Sequence, residues 1–428
     1  MSIYKHKAEV FQTKKALSCA NEDLKILGIE HTLININLPA LMKENPDSDD
    51  ICFLSGDRTF YFSSAQVEKI DQFLRAAWKY EIAATAILLN APRMFDSNQE
   101  KALLNKVIHP QFDWNSAGTY ISAFNMENEE ARAYYRAFVE FLSSRYMRDD
   151  AEYGRITGYI VSNEVNSQYV WGNAGSMSVQ EYVRQYTQAL RITWEASHMY
   201  WEHAGVYVSL DHYWTDRFWP AEPLKTYCGR DVVDLVSKYA KEAGDFGWGI
   251  AYHPYPEDLN YPDFYNDRIP TFYFDTKEIT FKNIEVLPAY LEQERFLYHG
   301  RRRPVILSEQ VFNAGNDEFT ELQGAAAYTL AYQKVKQQEG ILWMTHHAYL
   351  DNPLEFGLHL GIRERTDDGR PGRKRPVYNA IADMGSENEA ARVQWARSFI
   401  GEPLFDRLVS PEVHRCEEDK SKETEFGN

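Results

Sequence analysis

Eight short apolar runs of β character recur along this 428-residue chain, and most are followed by a stretch of helical periodicity. They begin near His31 (HTLININL), Ile82 (IAATAILLN), Thr119 (TYISAFNM), Ile156 (ITGYIVSNE), Gly205 (GVYVSLDHYW), Trp248 (WGIAYHPYP), Pro304 (PVILSEQVF) and Ile341 (ILWMTHHAYL). Successive starts lie 37 to 56 residues apart, which is room for one strand, one helix and two loops. Continuous apolar stretches such as Val305-Ile306-Leu307 suit parallel strands buried on both faces. Eight such units predict an α/β chain folded as a (β/α)8 TIM barrel. The competing architecture, a doubly wound open sheet, usually carries a Gly-rich phosphate loop after its first strand, and none follows here.

Helix starts are legible between the runs. Ser178 with Glu181, and Thr320 with Gln323, have capping-box spacing, and Asn128 precedes the acidic pair Glu129-Glu130. Three insertions interrupt the repeat: a hairpin at 51–63 around Ser55-Gly56-Asp57, a long loop at 92–118, and an aromatic loop at 256–280. The expected division is a lead-in segment over 1–24, a catalytic barrel over 25–385, and over 386–428 a helix followed by a disordered charged tail.

Composition narrows the function. With 46 basic against 63 acidic residues the net charge is −17, which disfavours nucleic acid and anionic membrane surfaces as partners. No window approaches 18 uninterrupted apolar residues, so no transmembrane helix is expected. Cys19, Cys52, Cys228 and Cys416 lie far apart without metal-ligand spacing and read as incidental thiols. The opening MSIYKHKAEV lacks the apolar core of a secretory signal, leaving a cytoplasmic chain or one whose signal has been removed.

A barrel enzyme gathers its reactive groups at the C-terminal ends of its strands. Here those ends are polar: Asn35 and Asn37, Asn90, Asn125, Asn163 and Glu164, Asp211 and His212, His253 and Tyr255, Glu309, then His346 and His347. Glu164 and Glu309 stand out because each directly follows a buried apolar run, YIVSNE and VILSE. Two carboxyl groups facing one sugar are what glycoside cleavage requires: one protonates the leaving oxygen, the other attacks the anomeric carbon or activates water.

Asn163-Glu164 on the fourth run, Glu309 on the seventh and His253-Pro254-Tyr255 on the sixth together resemble clan GH-A of the glycoside hydrolases, over residues of about 25–385. The resemblance implies a retaining (β/α)8 enzyme with Glu164 as acid/base, Glu309 as nucleophile, and no cofactor. A retaining pair is expected with its carboxyl groups about 5–5.5 Å apart. The acid must hold its proton at working pH, which burial or a neighbouring ionised carboxylate achieves. Tyr255 is expected to donate a hydrogen bond to Glu309, and Asn163 to the sugar 2-hydroxyl.

One departure concerns the eighth run, where the clan usually brings a Trp under the reacting sugar. Trp343 lies early in that run, while His346, His347 and Tyr349 occupy its end. Arg93 is a candidate for the arginine that some clan members hold near the nucleophile. Aromatic residues crowd the loops, notably Trp214, Phe218 and Trp219 after the fifth run, and sugar rings stack their C–H faces on such side chains. The carbohydrate-binding set is therefore read as Asn163, His253, Tyr255, Asn35, Asn125, Asp211, His212, Trp214, Trp219, His346 and His347. Two alternatives stand beside the hydrolase: a non-catalytic carbohydrate-binding barrel, and a metal-dependent hydrolase, although the histidines match no known ligand spacing.

Overall fold

The computed structural model describes residues 2–19, 21–93 and 100–415, so Cys416 and the charged tail lie outside the described residues. Eight strands form a closed parallel barrel: β1 (Lys15–Leu17), β2 (His31–Asn37), β3 (Ala83–Leu89), β4 (Ile156–Val161), β5 (Gly205–Leu210), β6 (Gly249–Tyr252), β7 (Val305–Leu307) and β8 (Ile341–His346). Each strand neighbours the next in chain order, and β1 pairs with β8 through Lys15↔Met344, Ala16↔Thr345 and Leu17↔His346. Helices intervene, among them Ser64–Trp78, Glu129–Tyr146, Val179–Tyr200, Gly229–Glu242 and Glu318–Lys336. The fold is the (β/α)8 TIM barrel that the repeat predicts.

The first three strands differ from the sequence reading. The run at Thr119 is not a barrel strand. Its apolar residues Ile121, Phe124 and Met126 are buried, but its amides go elsewhere: Ser122 N–H donates to Asn90 O at 2.8 Å and Ala123 N–H to Asn173 O at 3.0 Å. Nearly continuous burial appears here in a segment tied to the loops beyond β3 and β4. The missing strand is β1, inside the stretch expected to be a lead-in. It is three residues long and opens on a lysine pair, so it carries no strand signal. Lys14 Nζ donates to the carbonyls of Val335, Gln338 and Ile341, and Lys15 Nζ to those of Leu27, Ile381 and Met384. The lysines thus satisfy carbonyls at helix ends and strand starts, which is a tertiary role.

The chain divides into two compact units. The first comprises Met1–Val10, Leu33–Asp211 and Asp216–Ala251. In it β3 and β4 run in register through Ala86↔Tyr159, Ile87↔Ile160 and Leu88↔Val161. Asn128 Oδ1 accepts from Ala131 N–H at 2.8 Å and Ser178 Oγ from Glu181 N–H at 3.3 Å, capping the two helices as expected. The hairpin insertion is present as Ile51–Ser55 paired with Arg58–Phe62, and Gly56 takes φ +60° at its turn.

The second unit comprises Phe11–Thr32, His212–Thr215 and Tyr252–Asn428. Its long helix Glu318–Lys336 starts a turn earlier than expected, because Asp317 rather than Thr320 is the N-cap. Asp317 accepts from both the N–H and the hydroxyl of Thr320, at 3.0 and 2.8 Å. Of the three consecutive arginines Arg301–Arg303, Arg303 is buried and donates to Phe296 O at 2.7 Å. In the basic stretch at 369–376, Arg373 pairs with Glu321 and Glu364 and Arg375 with Asp351, so the chain itself engages both charges.

Candidate active site

In the first unit the end of β4 turns sharply. Ser162 and Glu164 both take left-handed backbone, at φ +65° and +38°, a conformation unusual for non-glycine residues that concentrates at functional sites. Glu164 is buried and its N–H donates to Ser209 Oγ on β5 at 2.9 Å. The short 3₁₀ turn Val165–Ser167 that follows is pinned by Asp211. The Asn166 amide and the Ser167 hydroxyl donate to the two Asp211 carboxylate oxygens, and Asp211 N–H donates back to Asn166 Oδ1 at 3.0 Å. Asp211 thus meets the protein rather than an open face, and it fixes the turn that carries Glu164. Asn163 is half-buried beside it.

Other amides near the strand ends are turned inward. The Asn37 side chain brackets Ala91, donating to its carbonyl at 3.0 Å and accepting its N–H at 2.8 Å. Asn125 Nδ2 donates to Ile108 O at 3.2 Å, and its Oδ1 accepts from Glu127 N–H. Asn125 therefore ties a loop and does not end a strand. Asn35, by contrast, is exposed. Arg93 donates to the carbonyls of Trp114, Ser116 and Thr119, which makes it the brace of its own long loop.

In the second unit, Glu309 lies two residues past the end of β7 and is half-buried. The Tyr255 hydroxyl donates to Glu309 Oε1, as expected. His253 Nε2 lies 3.0 Å from Ser308 Oγ, and its ring stands edge-on to Tyr255 at 5.7 Å, with His212 edge-on from another side at 6.0 Å. Burial pushes the Glu309 carboxyl up, but the charges of His347 and His253 and the Tyr255 hydrogen bond outweigh it and hold the group below the usual carboxylate range. His347 shows the reciprocal effect. Burial disfavours its imidazolium, yet the Glu309 charge and a 3.2 Å contact to Glu355 Oε1 carry its pKa up to about 9. This is an ionised carboxylate held beside a cationic ring at a strand end. Glu355 is the member that sequence reasoning missed; the only signal was its place in the Pro- and Gly-flanked loop DNPLEFG after β8.

Two predicted contacts, His346 and Trp214, are structural instead. His346 is buried, its Nδ1 3.0 Å from the Gln310 amide and its Nε2 3.1 Å from Leu360 O. Trp214 has no exposed surface: its indole N–H donates to Phe274 O at 2.9 Å and its ring meets Tyr290 edge-on at 5.0 Å. The loop after β5 folds back on the 274–277 segment, where Trp214 N–H also donates to Lys277 O, so this ring is a loop core. Trp219 and Phe218 remain exposed, at 36% and 43%, and are the rings of that loop open to a ligand. Among the described residues no group of three His, Cys, Asp or Glu side chains is placed to hold a metal ion, and no helix is long and apolar enough to cross a membrane.

Burial holds His31, His212 and His346 neutral, each with a pKa of about 3. Their unfolded value is about 6.5, so between these pH values the unfolded chain binds protons that the folded chain does not. Stability is complete above about pH 6.5 and falls as pH drops. These three rings and His198, whose pKa is about 4, are offset by the raised His347 and by Asp267, whose carboxyl burial carries to about 7, giving a net loss of about 4–5 kcal/mol between pH 7 and pH 5. Guanidinium melts at the two pH values measure it, and equal midpoints would show that these rings protonate in the native state.

Solved structures that align with this chain include glycoside hydrolases. A family 39 glycoside hydrolase from Bacteroides cellulosilyticus WH2 aligns at TM-score 0.52 and 13% identity, over 88% of this chain and 64% of its own, so this chain spans just under two thirds of that neighbour. A monomeric β-xylosidase from Caulobacter crescentus CB15 aligns at 0.52 and 14%, over 89% and 69%. A GH5_18 enzyme from Bifidobacterium longum subsp. longum, solved with Manβ1-4GlcNAc, aligns at 0.50 and 12%, over 94% and 96%. At such identities the likeness establishes the fold alone. No curated protein matches in sequence. One family model does match, across residues 7–407, and the chain belongs to that family, DUF5722, a family of unknown function.

Proposed function

We propose that this protein is a retaining glycoside hydrolase that cleaves an O-glycosidic bond of an oligo- or polysaccharide by double displacement. The observation that carries the reading is the setting of Glu309: a half-buried carboxylate at the end of β7, hydrogen-bonded by Tyr255 and flanked by two histidines that keep it ionised. An ionised, oriented carboxylate of this kind is suited to attack an anomeric carbon and to stabilise the oxocarbenium-like centre that forms there. Glu164, on its strained and pinned turn, is assigned the acid/base role, and Asn163 the 2-hydroxyl contact. Trp219 and Phe218 are assigned to a sugar face.

The assignment of Glu164 is tested by the leaving group. Glu164→Gln is expected to lose at least about a hundredfold in kcat/KM on alkyl or sugar aglycones. With activated aryl glycosides, which leave without a proton, the glycosylation step is expected to stay within about tenfold of wild type. A variant equally impaired on both substrates would remove Glu164 from the role. A panel of 4-nitrophenyl glycosides and polysaccharides supplies the substrates, and no turnover on any of them would count against the hydrolase.

A further inference from the structure

Beyond strand β8 the chain makes a short loop, DNPLEFGL, over residues 351–358. Its two apolar tip residues are thrown outward, Leu354 at 83% exposure and Phe356 at 92%. Glu355, between them, points the other way, and its Oε1 lies 3.2 Å from His347 Nε2. The loop is built to hold this carboxylate still. Asn352 Nδ2 donates to the same Oε1 at 3.2 Å, Glu355 N–H to Asn352 O at 3.0 Å, and Leu358 N–H to Glu355 O at 2.8 Å. Phe356 and Gly357 take left-handed backbone at φ +52° and +83°, which turns the chain back after the glutamate. At the other end, His347 N–H donates to Gln310 O at 2.9 Å, one residue past Glu309.

We infer that Glu355 is a positioning residue: its carboxylate, 3.2 Å from Nε2, fixes the His347 ring next to the strand end that carries Glu309, so that the ring acts on the attacking group from a set orientation. This rests on the glycosidase reading and adds to it a component carried on the β8 loop. The charged and titratable groups facing His347 are Glu309, Glu355 and the neutral His346; those facing Glu309 are His347, His253 and Tyr255. A single carboxylate beside His347 would stabilise the cation but leave its ring free to turn. A second, bonded to Nε2, orients the ring and adds to the stabilisation.

The test uses the full-length protein with histidines labelled at ¹³Cε1, titrated by NMR. The His347 signal is identified by its loss in His347→Asn. In the wild type this ring is expected to titrate near pH 9. Glu355→Gln, which keeps the shape and removes the charge, should lower that value by at least one unit, while Glu355→Asp and the loop control Leu354→Ala should leave it within about half a unit. On whichever 4-nitrophenyl glycoside the wild type turns over, Glu355→Gln should lose about tenfold in kcat with KM changed less than twofold, and Glu355→Asp should recover most of the loss. A wild-type His347 titrating near 6.5, a Glu355→Gln value equal to wild type, or an unchanged kcat would each overturn the proposal. Thermal melts separate misfolding from this outcome, and a misfolded Glu355→Gln leaves the decision to the wild-type titration and Glu355→Asp. The titration needs no substrate. An inert wild type with the shifted His347 would therefore refute the glycosidase reading, whereas an active wild type with an ordinary His347 would refute only this inference.

Discussion

Glu309→Ala is expected to abolish turnover, by at least about a thousandfold in kcat, equivalent to about 4 kcal/mol of barrier. The substitution removes both the group that forms the covalent intermediate and the charge facing the developing cation. It also leaves His347 and Tyr255 without the carboxylate they face. Added azide should restore part of the rate on an activated aryl glycoside, because the small anion fits the vacated space and attacks from the same side. The product should be the glycosyl azide of inverted anomeric configuration. Product analysis by NMR reads this directly. Near-normal kcat in Glu309→Ala, or an azide product of retained configuration, would place the nucleophile elsewhere.

Trp214→Ala should weaken the fold and spare the substrate. The indole is fully enclosed, holds a hydrogen bond to Phe274 O and packs on Tyr290, so truncation removes apolar contacts, opens a cavity and strands a carbonyl. Such changes cost about 3–5 kcal/mol, enough to lower the melting temperature by several degrees in a chain of this size. KM should stay within about twofold. Trp219→Ala should behave in the opposite way, because that ring is exposed: a melting temperature within about 1 °C of wild type and a KM raised about five- to tenfold. Calorimetry and kinetics on the two variants settle it, and a stable Trp214→Ala with a raised KM would return that ring to the sugar.

The two tryptophans, five residues apart in DHYWTDRFWP, show where reading a sequence stops. Both look alike as loop aromatics after a strand. Only the return of the 274–277 segment decides that one is a loop core and the other is not, since burial belongs to a pair of segments and not to either alone. The same holds for Asn125, whose amide is spent on the Ile108 carbonyl, and for His346, enclosed by Gln310 and Leu360. A polar residue beside a strand end has the same local signature whether it faces a ligand or its own chain.

What the chain determines by itself is the alternation of buried runs with amphipathic segments, which marks seven of the eight barrel strands and hence the barrel. Directly legible too were the candidates within two or three residues of a strand end: Glu164 after YIVSN and Glu309 after VILS, each placed by the strand that precedes it. Tyr255 was within reach for the same reason. The tertiary structure alone decided that Lys15–Leu17 is a strand, because its stabilisation comes from pairing with β8 and from two lysines that satisfy distant carbonyls. It alone decided that the run at Thr119 is not one, because burial and strand pairing are separate properties, and here the backbone amides bond to loop carbonyls. And it alone brought Glu355 to His347, since a loop carboxylate has no period to announce it; its role comes from a turn of backbone that aims one side chain inward while its neighbours face water.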